Sequence, residues 1–149
     1  MTKRKTLIYI AAATLAALSN LMVMLPFARA TDLVIIAHKD VPFDSLTVAQ
    51  VKKIWLGKTR KINGAAVMPA DLPKGTPARE MFYGNIVGKT EAQLSAYWMK
   101  IVFSGKGTPP KIFNTSDDIL GWVSTTPGAL AYLEEDAVND SVKTIALEE

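Results

Sequence analysis

Ala65-Ala66-Val67-Met68-Pro69, Ala70-Asp71-Leu72-Pro73-Lys74-Gly75 and Thr76-Pro77-Ala78-Arg79-Glu80-Met81-Phe82 follow one another without a gap, and each reads differently. The first piece is a short apolar run that follows an Asn63-Gly64 turn, which reads as a strand. The second, Ala70 to Gly75, carries Pro and Gly and reads as a loop. The third opens with Thr at the N-cap and Pro at the first helical position, a strong helix start. Its helix places Met81, Phe82 and Ile86 on one face and stops at Gly88. A strand that feeds a glycine loop and then a helix is the repeating unit of a layered α/β domain.

The flanking sequence extends that pattern. Upstream, Leu33-Val34-Ile35-Ile36-Ala37 reads as a buried strand. A helix follows with Thr47 and Gln50 as a capping box, Leu46 stapling onto Val51, and Gly57 as the stop. Downstream, Thr90 and Gln93 form a second box, and Leu94, Tyr97, Trp98, Ile101 and Val102 supply an apolar stripe that ends at Gly105. The segment Gly105-Lys106-Gly107-Thr108-Pro109-Pro110 reads as a loop. A fourth helix starts at Thr115 or Ser116 and runs through Trp122 and Val123; Thr126-Pro127-Gly128 is a turn. Ala129–Leu133 and Val142–Leu147 read as the last strands, in the order β-α-β-α-α-α-β-β. No internal repeat, low-complexity tract or interdomain linker interrupts it.

The first 30 residues belong to a different class. Lys3, Arg4 and Lys5 precede an apolar stretch from Leu7 to Phe27, and Ala28-Arg29-Ala30 is a small-x-small exit. This is the pattern of a cleaved secretory signal peptide, residues 1–30, with a permanent N-terminal membrane anchor as the competing reading. No Cys follows the apolar stretch, which excludes lipid attachment there. The remaining 119 residues, 31–149, suit one domain. The whole chain has 17 Lys+Arg and 14 Asp+Glu. The leader takes four of the basic residues and no acid, which leaves 13 against 14, a net charge of −1. The basic pI therefore resides in the leader, and a nucleic-acid partner loses its main support.

The chain has no Cys and one His, His38, so thiol catalysis, Cys-based metal sites and His-pair chemistry are excluded. Asp117-Asp118 and Glu134-Glu135-Asp136 read as solvated caps and turns, and Trp55, Trp98 and Trp122 as core. Gly84-Asn85-Ile86-Val87-Gly88-Lys89-Thr90 falls one residue short of a nucleotide P-loop and ends a helix. No nucleophile, base and orienting group assemble, and no metal or cofactor is implied, so the reading is of a non-enzyme.

The chemistry that does stand out lies at Lys74–Arg79. Free N–H groups and the dipole at a helix start favour an anion. Thr76 offers a hydroxyl, Arg79 a forked cationic donor and Lys74 further charge. The segment reads as a phosphate, sulfate or carboxylate site. The same residues also describe an ordinary capped helix with a solvated arginine.

Four segments carry a resemblance. Ile54-Trp55-Leu56-Gly57-Lys58 resembles the I-F/Y-L-G-K signature of the phosphate-binding component of phosphate ABC transporters. Gly75-Thr76-Pro77-Ala78-Arg79-Glu80-Met81-Phe82 stands where that family has G-S-G-T-R-x-x-F. Gly105-Lys106-Gly107 matches a Gly/Lys-rich loop, and Val123 to Glu134 resembles V-x-x-T-P-G-A-I-G-Y-V-E. The resemblance implies a single-lobe periplasmic-binding-protein-like α/β domain, a mixed β-sheet flanked by about four helices. It also implies a periplasmic location and an oxyanion ligand, foremost inorganic phosphate, held at Gly75, Thr76, Ala78 and Arg79 with Lys74 beside them. Pro77 stands in place of Gly and Ala78 in place of Thr, and the family's N-terminal phosphate loop and second lobe have no counterpart. Two roles are therefore expected. One is solute binding in or beside an ABC-type phosphate uptake system. The other is a periplasmic interaction or sensory module that kept the lobe without the ligand, with a transporter membrane subunit, a sensor protein or a second copy of itself as partner.

Overall fold

Apolar runs too short for helices pair into a sheet in the computed structural model, which describes residues 32–149. The expected signal segment, residues 1–30, lies outside the described residues. Thr31–Glu149 forms one compact unit.

The elements are β1 (Leu33–Ala37), β2 (Ser45–Thr47), α1 (Val48–Trp55), β3 (Lys61–Ile62), β4 (Ala65–Ala66), β5 (Met68–Asp71), α2 (Pro77–Met81), a π-helical segment (Phe82–Val87), α3 (Glu91–Phe103), β6 (Lys111–Ile112), α4 (Ser116–Thr125), β7 (Ala129–Glu134) and β8 (Lys143–Glu148), with a 3-10 turn at Glu135–Ala137. Six strands form one mixed sheet in the order β2-β8-β1-β7-β5-β6, and β3 and β4 form a separate hairpin. β1 is antiparallel to both neighbours, with Ile35 opposite Tyr132 on β7 and Ile145 on β8. β5 runs parallel to β7 and β6, and β2 parallel to β8. The fold is the α/β class the sequence indicated, with four helical segments beside a mixed sheet.

Burial explains the pattern. Ala129 to Leu133 are all fully buried, so both faces of β7 are covered, as an unbroken apolar strand requires. On one of those faces Tyr132 stacks flat on Phe82, with ring centroids 3.9 Å apart, and Trp55 tilts against both at 5.0 and 6.1 Å. Such pairs contribute about 0.5–1.5 kcal/mol each beyond their buried area. The Trp55 indole N–H donates to the Ala70 carbonyl at 3.0 Å, which ties α1 to β5. Both expected capping boxes form, at Thr47/Gln50 and Thr90/Gln93.

The structure corrects the expectation in four places. The run from Ala65 to Pro69 is two strands, split at Val67 where the hairpin ends and the main sheet begins. β2 and β6, of three and two residues, are edge strands too short to show a period. The helix from Thr76 to Gly88 changes to π-helical winding at Phe82. That winding turns consecutive Phe82 and Tyr83 inward together, at 0 % and 2 % exposure. Of the α3 stripe, Leu94 and Trp98 are buried and Tyr97 and Ile101 half-buried, while Val102 faces solvent.

Gly128 fixes the junction of hairpin and sheet. Its φ is +81°, and a Cβ there would lie 2.6 Å from the Ala66 carbonyl oxygen. Its own carbonyl accepts from the Met68 N–H at 2.9 Å. Gly75 has a similar φ of +85° with nothing within 4 Å. Gly75→Ala thus carries only the left-handed penalty, about 1–2 kcal/mol, whereas Gly128→Ala adds a backbone clash. Denaturant unfolding is expected to rank Gly128→Ala as clearly the more damaging; equal losses would contradict the close approach.

Candidate functional site

The loop from Asp71 to Ala78 lies at the carboxyl ends of β5 and β7, because the two strands are parallel with Met68 beside Ala129 and Pro69 beside Leu130. Asp71 closes β5. A carboxylate at the end of a buried strand needs donors, and four converge on it. Arg79 Nη1 lies 2.6 Å from Oδ2, the Tyr83 hydroxyl donates to Oδ2 at 2.7 Å, and the Leu72 amide donates to Oδ1 at 2.9 Å. The Tyr132 hydroxyl makes a short hydrogen bond to Oδ1. Asp71 is 2 % exposed and Arg79 7 %.

Arg79 is equally occupied. Besides Asp71 it donates from Nη1 to the Leu72 carbonyl at 2.9 Å, and from Nε to Glu91 Oε2 at 3.0 Å, and its guanidinium lies over the Tyr83 ring at 4.9 Å. Burial works against its charge, yet Glu91, Asp71 and Tyr83 outweigh burial and hold it above the usual arginine range. Burial pushes the Asp71 carboxyl up, against the pull of Tyr132, Arg79, Tyr83 and the Leu72 amide. Burial and the neighbouring carboxylate push both tyrosines up, so both stay protonated as donors. No buried side-chain polar atom among the described residues lacks a partner. The guanidinium therefore holds β5, α2, the π-helical segment and the start of α3 together from inside.

The other residues singled out in the sequence differ in exposure. Lys74 and Gly75 are exposed and Ala78 is buried. Thr76 is the N-cap residue of α2, yet its side chain does not cap: the hydroxyl donates to the Pro73 carbonyl at 2.8 Å. By contrast Thr47, Thr90 and Thr115 each accept from an amide of their own helix. The first-turn amides of Ala78 and Arg79 thus have no side-chain cap, and Pro77 has no N–H to offer.

Thr76, Pro77 and Ala78 line a cavity of about 200 Å³ with Leu72, Asn114, Thr115, Ser116 and Glu134. Lys74, Gly75 and Arg79 are not in its lining. Asn114 to Ser116, at the start of α4, were not recognised as site residues from the sequence; only the Thr115 cap signalled that a second helix begins there. Asp71, Tyr83, Glu91 and Tyr132 were also missed. An acid ending an apolar strand, eight residues before an Arg, was the signal for the first. The charge around the cavity is mixed: Lys74 is nearby in sequence, Glu134 is in the wall, and Asp117 and Asp118 occupy the first turn of α4. His38 accepts from the Asp40 amide at 3.1 Å, a local turn contact. Among the described residues no group of three or more His, Asp or Glu is placed to hold a metal ion, and no helix is long and apolar enough to cross a membrane.

A cavity at the carboxyl ends of parallel strands is where open α/β sheets bind ligands. The chain resembles substrate-binding proteins of phosphate ABC transporters. A Clostridium perfringens protein described as such, solved with bound phosphate, matches at 25% identity and a TM-score of 0.61, over 77% of this chain and 44% of its own. An ABC-type phosphate transport receptor from Vibrio cholerae matches at 20% identity and a TM-score of 0.64, over 78% and 46%. PstS from Borrelia burgdorferi matches at 11% identity and a TM-score of 0.59, over 78% and 47%. The chain spans less than half the length of these solved proteins. No family model matches the sequence, and no curated protein matches it.

Tyr83→Phe removes one oxygen and leaves Asp71 Oδ2 with Arg79 alone. Loss of a hydrogen bond to a buried charged group is expected to cost about 1–3 kcal/mol in denaturant unfolding. A neutral result would show that the tyrosine is not needed to satisfy the carboxylate.

Proposed function

We propose that this chain is a periplasmic, non-enzymatic solute-binding-like protein whose single lobe recognises a small oxyanion, foremost phosphate, in or beside an ABC-type uptake system. The observation that carries the reading is the uncapped start of α2. The amides of Ala78 and Arg79 face no capping side chain, and they stand beside the cavity shared with the start of α4. The likeness to a phosphate-bound protein over 77% of the chain supports the choice of anion. In this reading the first-turn amides donate to the anion, with the Thr76 hydroxyl beside them once it turns from Pro73. Gly75 allows the loop its left-handed bend, and Lys74 supplies local charge. Arg79 contributes its amide, while its side chain braces the loop from behind. Residues 1–30 direct export and are then removed.

A second reading has its own support. Arg79 is already neutralised by Asp71 and Glu91, and Glu134 lines the cavity. Both features suit a lobe that kept the fold as an interaction or sensory module after losing its ligand.

Thr76→Asp separates the two. Its carboxylate caps the amides of α2, which favours the helix, and occupies the place of an anion. Calorimetric titration is expected to show saturable phosphate binding at a Kd on the order of 1 mM or tighter, about −4 kcal/mol. Sulfate serves as the comparison. The Asp variant is expected to lose the binding with its melting temperature unchanged or raised. No heat from either anion with the unmodified chain would overturn the binding reading in favour of the interaction module.

A further inference from the structure

Charge is unevenly distributed along this chain. Between Asp44 and Asp71 there is no acidic residue, and Lys52, Lys53, Lys58, Arg60 and Lys61 all fall within that interval. Folding brings three of them together. Lys53 on α1, Lys58 after the Gly57 stop and Lys61 on β3 line a groove of about 510 Å³ with Gln50, Thr59, Ile62 and Asn63. No carboxylate lines it, and among the described residues none of the three lysines forms an ion pair. Lys53 has a local explanation, since a cation in the last turn suits the helix dipole. Lys58 and Lys61 lie outside the helix and have none.

The groove is separate from the cavity at Thr76. That cavity sits at the carboxyl ends of β5 and β7, next to Glu134. The groove borders the β3–β4 hairpin, which abuts Gly128 at the amino end of β7. The two share no lining residue.

We infer that this groove binds a phosphate-rich anion carrying two or more negative charges, through Lys53, Lys58 and Lys61. Three ammonium groups within one groove attract a di- or polyanion more strongly than a single charge. The side-chain amides of Gln50 and Asn63 supply neutral donors for further oxygens, while the Thr59 hydroxyl already donates to the Lys61 carbonyl. The lining has no aromatic residue and one aliphatic, Ile62, so nothing receives a nucleobase or an acyl chain. Lysine serves phosphate as a point charge. The ligand chemistry is therefore bare phosphate groups, either free as a pyrophosphate-type anion or displayed together as headgroups on an anionic membrane surface. The inference does not depend on the oxyanion reading of the Thr76 cavity.

The test titrates pyrophosphate into the purified chain by calorimetry at about 50 mM and 300 mM salt. In parallel, sedimentation is measured with phosphatidylglycerol vesicles, with phosphatidylcholine vesicles as control. Each of Lys53→Gln, Lys58→Gln and Lys61→Gln is expected to weaken binding about two- to fivefold, and the triple variant to abolish it. Raising the salt is expected to weaken binding in every case. Pyrophosphate binding that Thr76→Asp leaves intact supports a free ligand in this groove. Binding only to phosphatidylglycerol, lost in the triple variant, supports the same groove with a membrane source. No binding in either arm at low salt, or binding unchanged in the triple variant, overturns the inference. The lysines are exposed, so thermal melting of the triple variant is expected to match the parent, and the single variants read the same loss should it not.

Discussion

Asp71 and Arg79 meet 2.6 Å apart in the interior, and most of the domain's architecture can be followed outward from that contact. Two charges removed from water gain stability only when their remaining lone pairs and protons find partners. Here they do. Tyr83 comes from the π-helical segment, Tyr132 from β7, Glu91 from the start of α3 and the Leu72 amide and carbonyl from the loop itself. β5, its following loop, α2, the π-helical segment, the start of α3 and β7 thus each contribute a group to one network. The change of winding falls at Phe82, which stacks on Tyr132, while Tyr83, the next residue, reaches Asp71.

The network also decides what the loop can offer a ligand. A guanidinium between two carboxylates has little charge left to give, and its donors are already directed inward. What remains on the outer side is backbone: the amides that follow Pro77, with hydroxyls and an amide side chain across the cavity at Asn114–Ser116. In the proposed role such a site would recognise an anion by shape and hydrogen bonding more than by charge, with water competing for it in an open cavity. Three lysines without an ion pair line a separate groove between α1 and the hairpin.

The sequence revealed most of what depends on local physics. The Thr47 and Thr90 capping boxes, the Thr76-Pro77 helix start, and the apolar strands at Leu33–Ala37 and Ala129–Leu133 all lie where the residue types place them. What it did not reveal depends on pairing at a distance. Strands as short as Lys111–Ile112 acquire identity only from a neighbour, here Ala70–Asp71. The direction of Arg79 was likewise hidden: a helix-start arginine can face a ligand or its own core. The choice rests on Asp71, which Arg79 meets in the interior, and on Glu91, twelve residues away. The resemblance by motif anticipated the fold, because its glycine and proline positions report backbone shape, as Gly128 against Ala66 illustrates. Side-chain roles did not transfer in the same way, since they depend on partners outside the motif.

Asp71 and Arg79 act as one buried unit that supports the loop, and a double-mutant cycle measures their coupling. Asp71→Asn, Arg79→Met and the double variant would be compared by denaturant unfolding. Each single change leaves its partner without its opposite charge and is expected to cost about 3–5 kcal/mol. The double variant is expected to fall short of the sum by at least about 2 kcal/mol, because no uncompensated charge on this pair remains. Additive losses, or an Arg79→Met variant as stable as the parent, would show that the arginine is not held by Asp71 and would return it to the outer face of the loop as a ligand residue.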